Sequence, residues 1–435
     1  MRRLLVTAML LALVMVPVFS QAVAEANEPV DFTKYARGVT VEEDCSSPTG
    51  YTATFIYEEE DTDTYLVKNQ SVTIGEIASV ELYSDCMLLF TGTEGTTVAY
   101  NPDEFVAGMS PAGGSGDTTY YAEMTEFADG LWGVQVPLTS GAFVYNFQLT
   151  DTEGNVVARQ DDPNNPTMVN SETGITSLSS MVYVPYDREK MGVGLYADRT
   201  IENPCDEAGT VETISYTGAA GDTRGLAVYL PYGYDENREE PYRVLYISHG
   251  ASGDSVGNEM RWLNEGCVAN ITDNLVKEGK VEPFVVVAMN NQDLGWDFSR
   301  IETEQFDYIM PLIEERYNVC TTAGGRAFAG LSMGCITTSR MFMNHASEFS
   351  YFGVWSAADT SVADHLEYLS TIENMPKVMV GGGDWDFGLS SSLTFGKMLY
   401  KYFDLDVVQL SVPGAHDWET WQLLYAYAAE NFFWK

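Results

Sequence analysis

The stretch Arg326-Ala327-Phe328-Ala329-Gly330-Leu331-Ser332-Met333-Gly334-Cys335 decides how the second half of the chain is read. A short apolar run ends in Gly330, and a helical pattern runs on from Cys335 to His345. Between them lies G-x-S-x-G. A sharp strand-to-helix turn leaves no room for side chains at the two flanking positions, hence the glycines. Such a turn lifts the serine hydroxyl above the sheet, at the positive end of the helix that follows. Ser332 is therefore the candidate nucleophile.

Working outward, apolar runs without alternation recur at Arg243–Ser248, Phe284–Met289, Tyr351–Ser356, Lys377–Val380 and Val407–Val412. Helical patterns separate them, over Trp262–Glu278 and Glu304–Tyr317 among others. Strands of this kind, alternating with helices, predict a mostly parallel sheet buried on both faces.

A serine hydroxyl is a weak nucleophile without a base. The chain has 4 histidines, His249, His345, His365 and His416. His345 ends the helix that follows Ser332 and His365 sits in a polar connection, so both read as structural. His416 follows a strand in Val412-Pro413-Gly414-Ala415-His416-Asp417-Trp418. Loops after parallel strands gather at one edge of the sheet, the edge that carries Ser332. His416 is the candidate base. An acid to orient it belongs between the two, and Gly383-Asp384-Trp385-Asp386 offers Asp386 and, as runner-up, Asp384. Met333 N–H, with a second amide from Ser248-His249-Gly250-Ala251, most simply that of Ala251, would form the oxyanion hole. His249, Trp296 and Trp418 are candidates for lining a substrate pocket.

The first half has another texture. Tyr51–Tyr57, Ser79–Tyr83, Leu131–Pro137 and Phe143–Leu149 alternate apolar and polar residues, with Gly, Asp, Asn and Pro between them. That predicts an all-β sandwich over 49–185. Residues 25–48 read as an acidic, aperiodic flexible leader, 186–212 as a linker and 213–435 as the hydrolytic domain. Arg2 and Arg3, the apolar Leu4–Val18 and the small residues Ala22-Val23-Ala24 read as an export signal, with cleavage near Ala24-Glu25. Secretion to the cell exterior is the expectation.

The formal net charge of −40 argues against nucleic acid and anionic membranes as partners, because both would repel the chain. Leu4–Val18 is too short for a comfortable membrane span, and no later stretch is apolar enough to cross a bilayer. The 6 cysteines, at 45, 86, 205, 267, 320 and 335, show no zinc-type spacing, and the residues imply no metal and no cofactor. Cys45 and Cys86 are a candidate bridge, and Cys335 reads as a buried free thiol. Connectivity and oligomeric state stay open.

Two resemblances add to this reading. Residues 226–435 resemble the esterase family that includes carbohydrate esterase family 1, with its feruloyl and acetylxylan esterases and its enterochelin esterase and mycolyltransferase relatives. The carriers are Tyr229-Leu230-Pro231-Tyr232-Gly233-Tyr234, His249-Gly250 with Gly253-Asp254, Gly330–Gly334 and Gly414–Trp418. The resemblance implies an α/β-hydrolase fold and a Ser-His-Asp triad, and it favours Asp386 over Asp384. Ala251-Ser252 departs from the further glycines often found there. Leu131-Trp132-Gly133 through Asp162-Pro163-Asn164-Asn165-Pro166 is similar to the early-set immunoglobulin-like modules that often precede such enzymes. That similarity implies a spacer or lid, or a sugar-stacking face of Trp132, Tyr145 and Phe147.

A secreted serine esterase acting on acylated plant polysaccharide is the resulting expectation. Its rivals are an enterochelin-type siderophore esterase, an acyltransferase, and, from another class, a non-catalytic glycan-binding surface protein.

Overall fold

The computed structural model describes residues 30–44, 51–59, 64–67, 70–73, 76–83, 121–138, 141–165, 180–184, 202–251, 257–291, 294, 297–383, 386–412 and 414–435. The export signal, the Cys45–Cys86 bridge, Asp384 and Trp296 lie outside them.

The N-terminal half builds two antiparallel sheets around one core. One joins β1 (Gly38–Glu43), β2 (Tyr51–Glu58), β8 (Leu131–Leu138) and β7 (Thr125–Ala128) in the order β1-β2-β8-β7. The other runs β10 (Val156–Gln160), β9 (Gly141–Asp151), β5 (Ile77–Tyr83) and β6 (Tyr121–Glu123), with β11 (Ser180–Val184) also pairing β9. A separate hairpin links β3 (Thr64–Val67) and β4 (Gln70–Thr73). Alternate residues of both sheets, Phe55 and Tyr57 on β2, Val134 and Val136 on β8, and Tyr145, Phe147 and Leu149 on β9, share one buried cluster. That is the period-two burial an all-β sandwich needs.

Two expectations change here. The leader over 25–48 is too long, because β1 pairs β2 along its whole length, from Gly38 opposite Ile56 to Glu43 opposite Tyr51. Its polar, half-exposed residues suit an edge strand, which shows little apolar periodicity. Trp132, Tyr145 and Phe147 form no stacking face, since they are 6%, 1% and 0% exposed. Tyr145 instead donates its hydroxyl to Asp162 Oδ2 at 2.7 Å, fastening the Asp162-Pro163 corner to β9.

The C-terminal half is an α/β-hydrolase domain. Its eight-stranded sheet runs β12 (Thr210–Thr217), β13 (Thr223–Leu230), β15 (Phe284–Met289), β14 (Arg243–Ser248), β16 (Arg326–Leu331), β17 (Tyr351–Trp355), β18 (Lys377–Gly383) and β19 (Val407–Val412). Antiparallel pairing is confined to β12–β13 and β13–β15; the other pairs are parallel. β12 begins inside the span read as a linker, and its edge position again explains the weak signal.

β15 and β16 are buried at every position. Their neighbours divide by parity. Val244 and Tyr246 of β14 join the core on one face, while Leu245 and Ile247 join the core on the other. Helices α1 (Val268–Lys277), α2 (Phe298–Thr303), α3 (Met310–Arg316), α4 (Met333–His345), α5 (Leu389–Phe403) and α6 (Trp418–Asn431) accompany the strands. Residues Glu304–Ile309 join α2 to α3 as a π-helical turn.

The two halves meet at the start of β9. Ala142 and Met181 of the sandwich are buried in the same cluster as Trp418, Trp421 and Leu424 of α6. Among the described residues no helix is long and apolar enough to cross a membrane.

Candidate active site

Register brings the site together. Ser248 pairs with Gly330, Leu331 with Trp355, Trp355 with Gly381, and Gly383 with Val412. The loops carrying His249, Ser332, Asp386 and His416 thus leave four parallel strands at one edge, the carboxyl edge.

Ser332 sits at φ 53° and ψ −118°, a conformation sterically costly for a residue with a Cβ. Its amide donates to Trp355 C=O at 3.1 Å, which pins the turn to the next strand. The flanking glycines are required by space. A Cβ on Gly330 would lie 2.4 Å from Gly334 C=O oxygen, and one on Gly334 would lie 2.3 Å from Ser248 C=O oxygen. Ser332 starts α4 without spending its hydroxyl on capping. Met333 N–H, at the first position of α4, has no acceptor within the helix, whereas Cys335 N–H already donates to Ser332 C=O at 2.9 Å.

His416 Nδ1 lies 2.9 Å from Asp386 Oδ1, with the imidazole 3% and the carboxylate 0% exposed. Gly388 N–H donates to that same Oδ1 at 2.7 Å, so the acid is held on its own loop. A carboxyl oxygen accepting from Nδ1–H fixes the tautomer that leaves Nε2 free to take a proton. His345 lies apart from this pair, its Nε2 3.3 Å from Glu302 Oε2, and His365 is at the end of a 3₁₀ turn (Ser361–His365).

The loop after β14 presses on Ser332. A Cβ on Gly250 would fall 3.0 Å from Ser332 Cβ and 3.5 Å from its Oγ, so only glycine lets the loop come this close. Ala251 follows at the surface, its carbonyl accepting from Arg261 Nη1 at 3.3 Å.

His249 does not line a pocket. It is 0% exposed, Asn291 N–H donates to its Nε2 at 3.0 Å, and Nδ1 donates to Gly250 C=O at 2.5 Å. Burial, with Arg261 nearby, pulls its pKa down to about 3, so the ring is a neutral brace for the loop. Trp418 is likewise core: it is 2% exposed and meets Trp262 edge to face at 5.6 Å.

Three contacts were not legible in the spacing alone. Phe387, 36% exposed, lies against the His416 ring at 4.2 Å with the planes tilted by 31°. Trp421 meets the same imidazole edge to face at 5.0 Å and donates Nε1–H to Ser356 Oγ at 3.0 Å. Asp417 caps α6 through Glu419 N–H at 2.9 Å and Thr420 N–H at 3.2 Å. The only available signal was adjacency, since Phe387 follows Asp386 and Asp417 follows His416.

Cys335 is buried and unbridged, with Sγ 3.7 Å from Ser392 Oγ, and burial pushes its thiol well above the usual range. No group of three or more His, Cys, Asp or Glu suited to a metal occurs among the described residues.

Comparison with known proteins agrees with this architecture. Residues 217–393 match the family model described as "Putative esterase", so the likeness read from the sequence extends across the strands that carry Ser332 and Asp386. Over 240 residues the chain is 28% identical to an endo-1,4-beta-xylanase/feruloyl esterase of Xylanibacter ruminicola, covering 52% of this chain and 31% of that protein. Over 160 residues it is 33% identical to endo-1,4-beta-xylanase Y of Acetivibrio thermocellus, covering 34% of this chain and 14% of that protein. The chain thus spans a third or less of the curated relatives it matches. Among solved structures, the enterobactin esterase FES of Shigella flexneri superposes with a TM-score of 0.59 at 12% identity, covering 92% of this chain and 97% of that one. At that identity the likeness shows a shared fold across both halves.

Proposed function

We propose that the chain is a serine carboxylic ester hydrolase working through an acyl-enzyme, with Ser332 as nucleophile, His416 as general base and Asp386 as the acid that orients it. The observation that carries this reading is the buried Asp386–His416 pair at the strand edge that also presents a strained, uncapped serine. His416 Nε2 takes the Ser332 proton as Oγ attacks the ester carbonyl. Met333 N–H and, on the Gly250 side, Ala251 N–H receive the developing oxyanion. Protonated His416 returns the proton to the departing alcohol, and water activated by the same ring then releases the acid. Phe387, exposed beside His416, faces the incoming group.

An acyl group on plant polysaccharide, feruloyl or acetyl, is the substrate class we favour, because the named curated relatives are a xylanase/feruloyl esterase and a xylanase. The N-terminal export signal fits a substrate outside the cell. Turnover of p-nitrophenyl acetate by the wild type and not by Ser332→Ala tests the chemistry; equal turnover by both would overturn it. Methyl ferulate, acetylated xylan and a cyclic siderophore triester, assayed side by side, test the substrate. Preference for the triester would overturn the polysaccharide assignment.

A further inference from the structure

The loop that carries His416 is held by both domains. Ala415, just before it, is 0% exposed and is the one hydrolase residue in the sandwich's buried cluster among the described residues. Asp417, just after it, is 2% exposed and accepts Ala142 N–H of β9 at 3.0 Å, across 275 positions of sequence. The same carboxylate accepts Ala415 N–H at 2.7 Å and Thr420 Oγ–H at 2.9 Å, besides the two cap amides of α6. Both of its oxygens are therefore engaged, Oδ1 with the sandwich and the helix amides, Oδ2 with the loop amide and the Thr420 hydroxyl.

A helix cap needs only the amides of its own first turn and is ordinarily found at a solvated surface. Asp417 is instead buried, where an ionised carboxylate is tolerated only with its acceptors satisfied. The fit around it is tight. A Cβ on Gly141 would lie 2.9 Å from Asp417 Cγ and Oδ1 and 2.8 Å from Phe143 Cζ. On the other side, a Cβ on Gly383 would lie 2.4 Å from Gly414 C=O oxygen and 2.6 Å from that of Ala415. The loop is clamped between the end of β18 and the start of β9.

We propose that the β-sandwich is a working part of the catalytic centre, with strand β9 acting through the positioning residue Asp417 to hold His416 in register with Asp386. This rests on the role given to His416 above. The sandwich is then no detachable appendage: it supplies one of the two walls that set the imidazole.

The experiment uses the full chain and two readouts, steady-state kinetics on p-nitrophenyl acetate and the low-field NMR resonance of the imidazole proton shared between His416 and Asp386. Gly141→Ala pushes a methyl into the Asp417 carboxylate from the sandwich side. The expected result is a fall in kcat of about 10- to 100-fold, with KM within about twofold and the low-field proton shifted or lost well below the melting temperature. Ala415→Gly, which removes only a methyl and creates no clash, is expected to lower kcat by about three- to tenfold with the same signature. Val156→Thr, at a position of β10 that is 56% exposed, is expected to change neither readout.

Folded Gly141→Ala and Ala415→Gly proteins with wild-type kcat and an unmoved proton would overturn the proposal. A wild type that hydrolyses no ester would instead overturn the proposed activity. The NMR comparison would still decide whether the sandwich positions the ring.

Discussion

Asp386 and His416 form the most enclosed polar pair of the site, Oδ1 to Nδ1 at 2.9 Å with neither side chain more than 3% exposed. Burial makes the pair directional, since no water competes for Nδ1. Asp386→Asn keeps the shape but lets the amide donate to Nδ1 and select the wrong tautomer. The expected loss in kcat on p-nitrophenyl acetate is about 10³- to 10⁴-fold, with KM little changed.

Phe387 lies against the ring of His416, the proposed base. An aromatic contact of this kind contributes about 0.5–1.5 kcal/mol, and partial exposure puts this one in the lower half of that range. Phe387→Ala is expected to lower kcat/KM for aryl esters by about two- to fivefold, with Phe387→Leu between the two. Unchanged kcat/KM in Phe387→Ala would remove the ring from the site's working parts.

His249 makes stability depend on pH. Its folded pKa of about 3 lies below the ordinary histidine value of 6.5, so the unfolded chain binds the extra proton between those limits. Stability contributed by the neutral ring is complete above the unfolded pKa and is lost as pH falls below it. Going from pH 7 to pH 5 is expected to cost about 2 kcal/mol from this residue alone. His249→Gln, which still offers an acceptor to Asn291 N–H, should flatten that part of the curve in urea unfolding at pH 5, 6 and 7.

The turn at Ser332 stores strain that chemistry uses and stability does not. Ser332→Gly relieves the backbone at φ 53°, and relief outweighs the added chain entropy of glycine by about 1 kcal/mol. Thermal melting should rise by about 2–4 °C, while Ser332→Ala, which keeps its Cβ, should show no such gain. Both variants are expected to be inactive.

How far the sequence could be read follows from locality. The turn at Ser332 was legible because it forces glycines at two neighbouring positions, and the shared edge of the Asp386 and His416 loops because parallel strands send their following loops to one side of the sheet. Buried central strands announced themselves as apolar runs. Edge strands β1 and β12 did not, since an edge pairs on one side only and tolerates polar residues along its length. The pocket assignments of His249 and Trp418 failed for a related reason. Neither residue type nor proximity in sequence says whether a ring turns toward the cleft or into the core, and here Asn291 and Trp262 decided it. The grip of Ala142 on Asp417 joins positions in different domains, and no window along the chain contains both.

β19 is an edge strand of its sheet, yet the loop after it carries His416, the proposed base. During vectorial synthesis the nucleophile strand β16 and its neighbours can assemble well before residue 416 exists, and the assembly then has a serine with nothing to deprotonate it. On the proposed mechanism, hydrolytic power arrives as one late event, when β19 docks and Asp417 closes a loop of chain back onto β9. Recovery of activity after denaturation therefore dates the closing of that loop, and serves as a clock for the final step of folding rather than for collapse of the core.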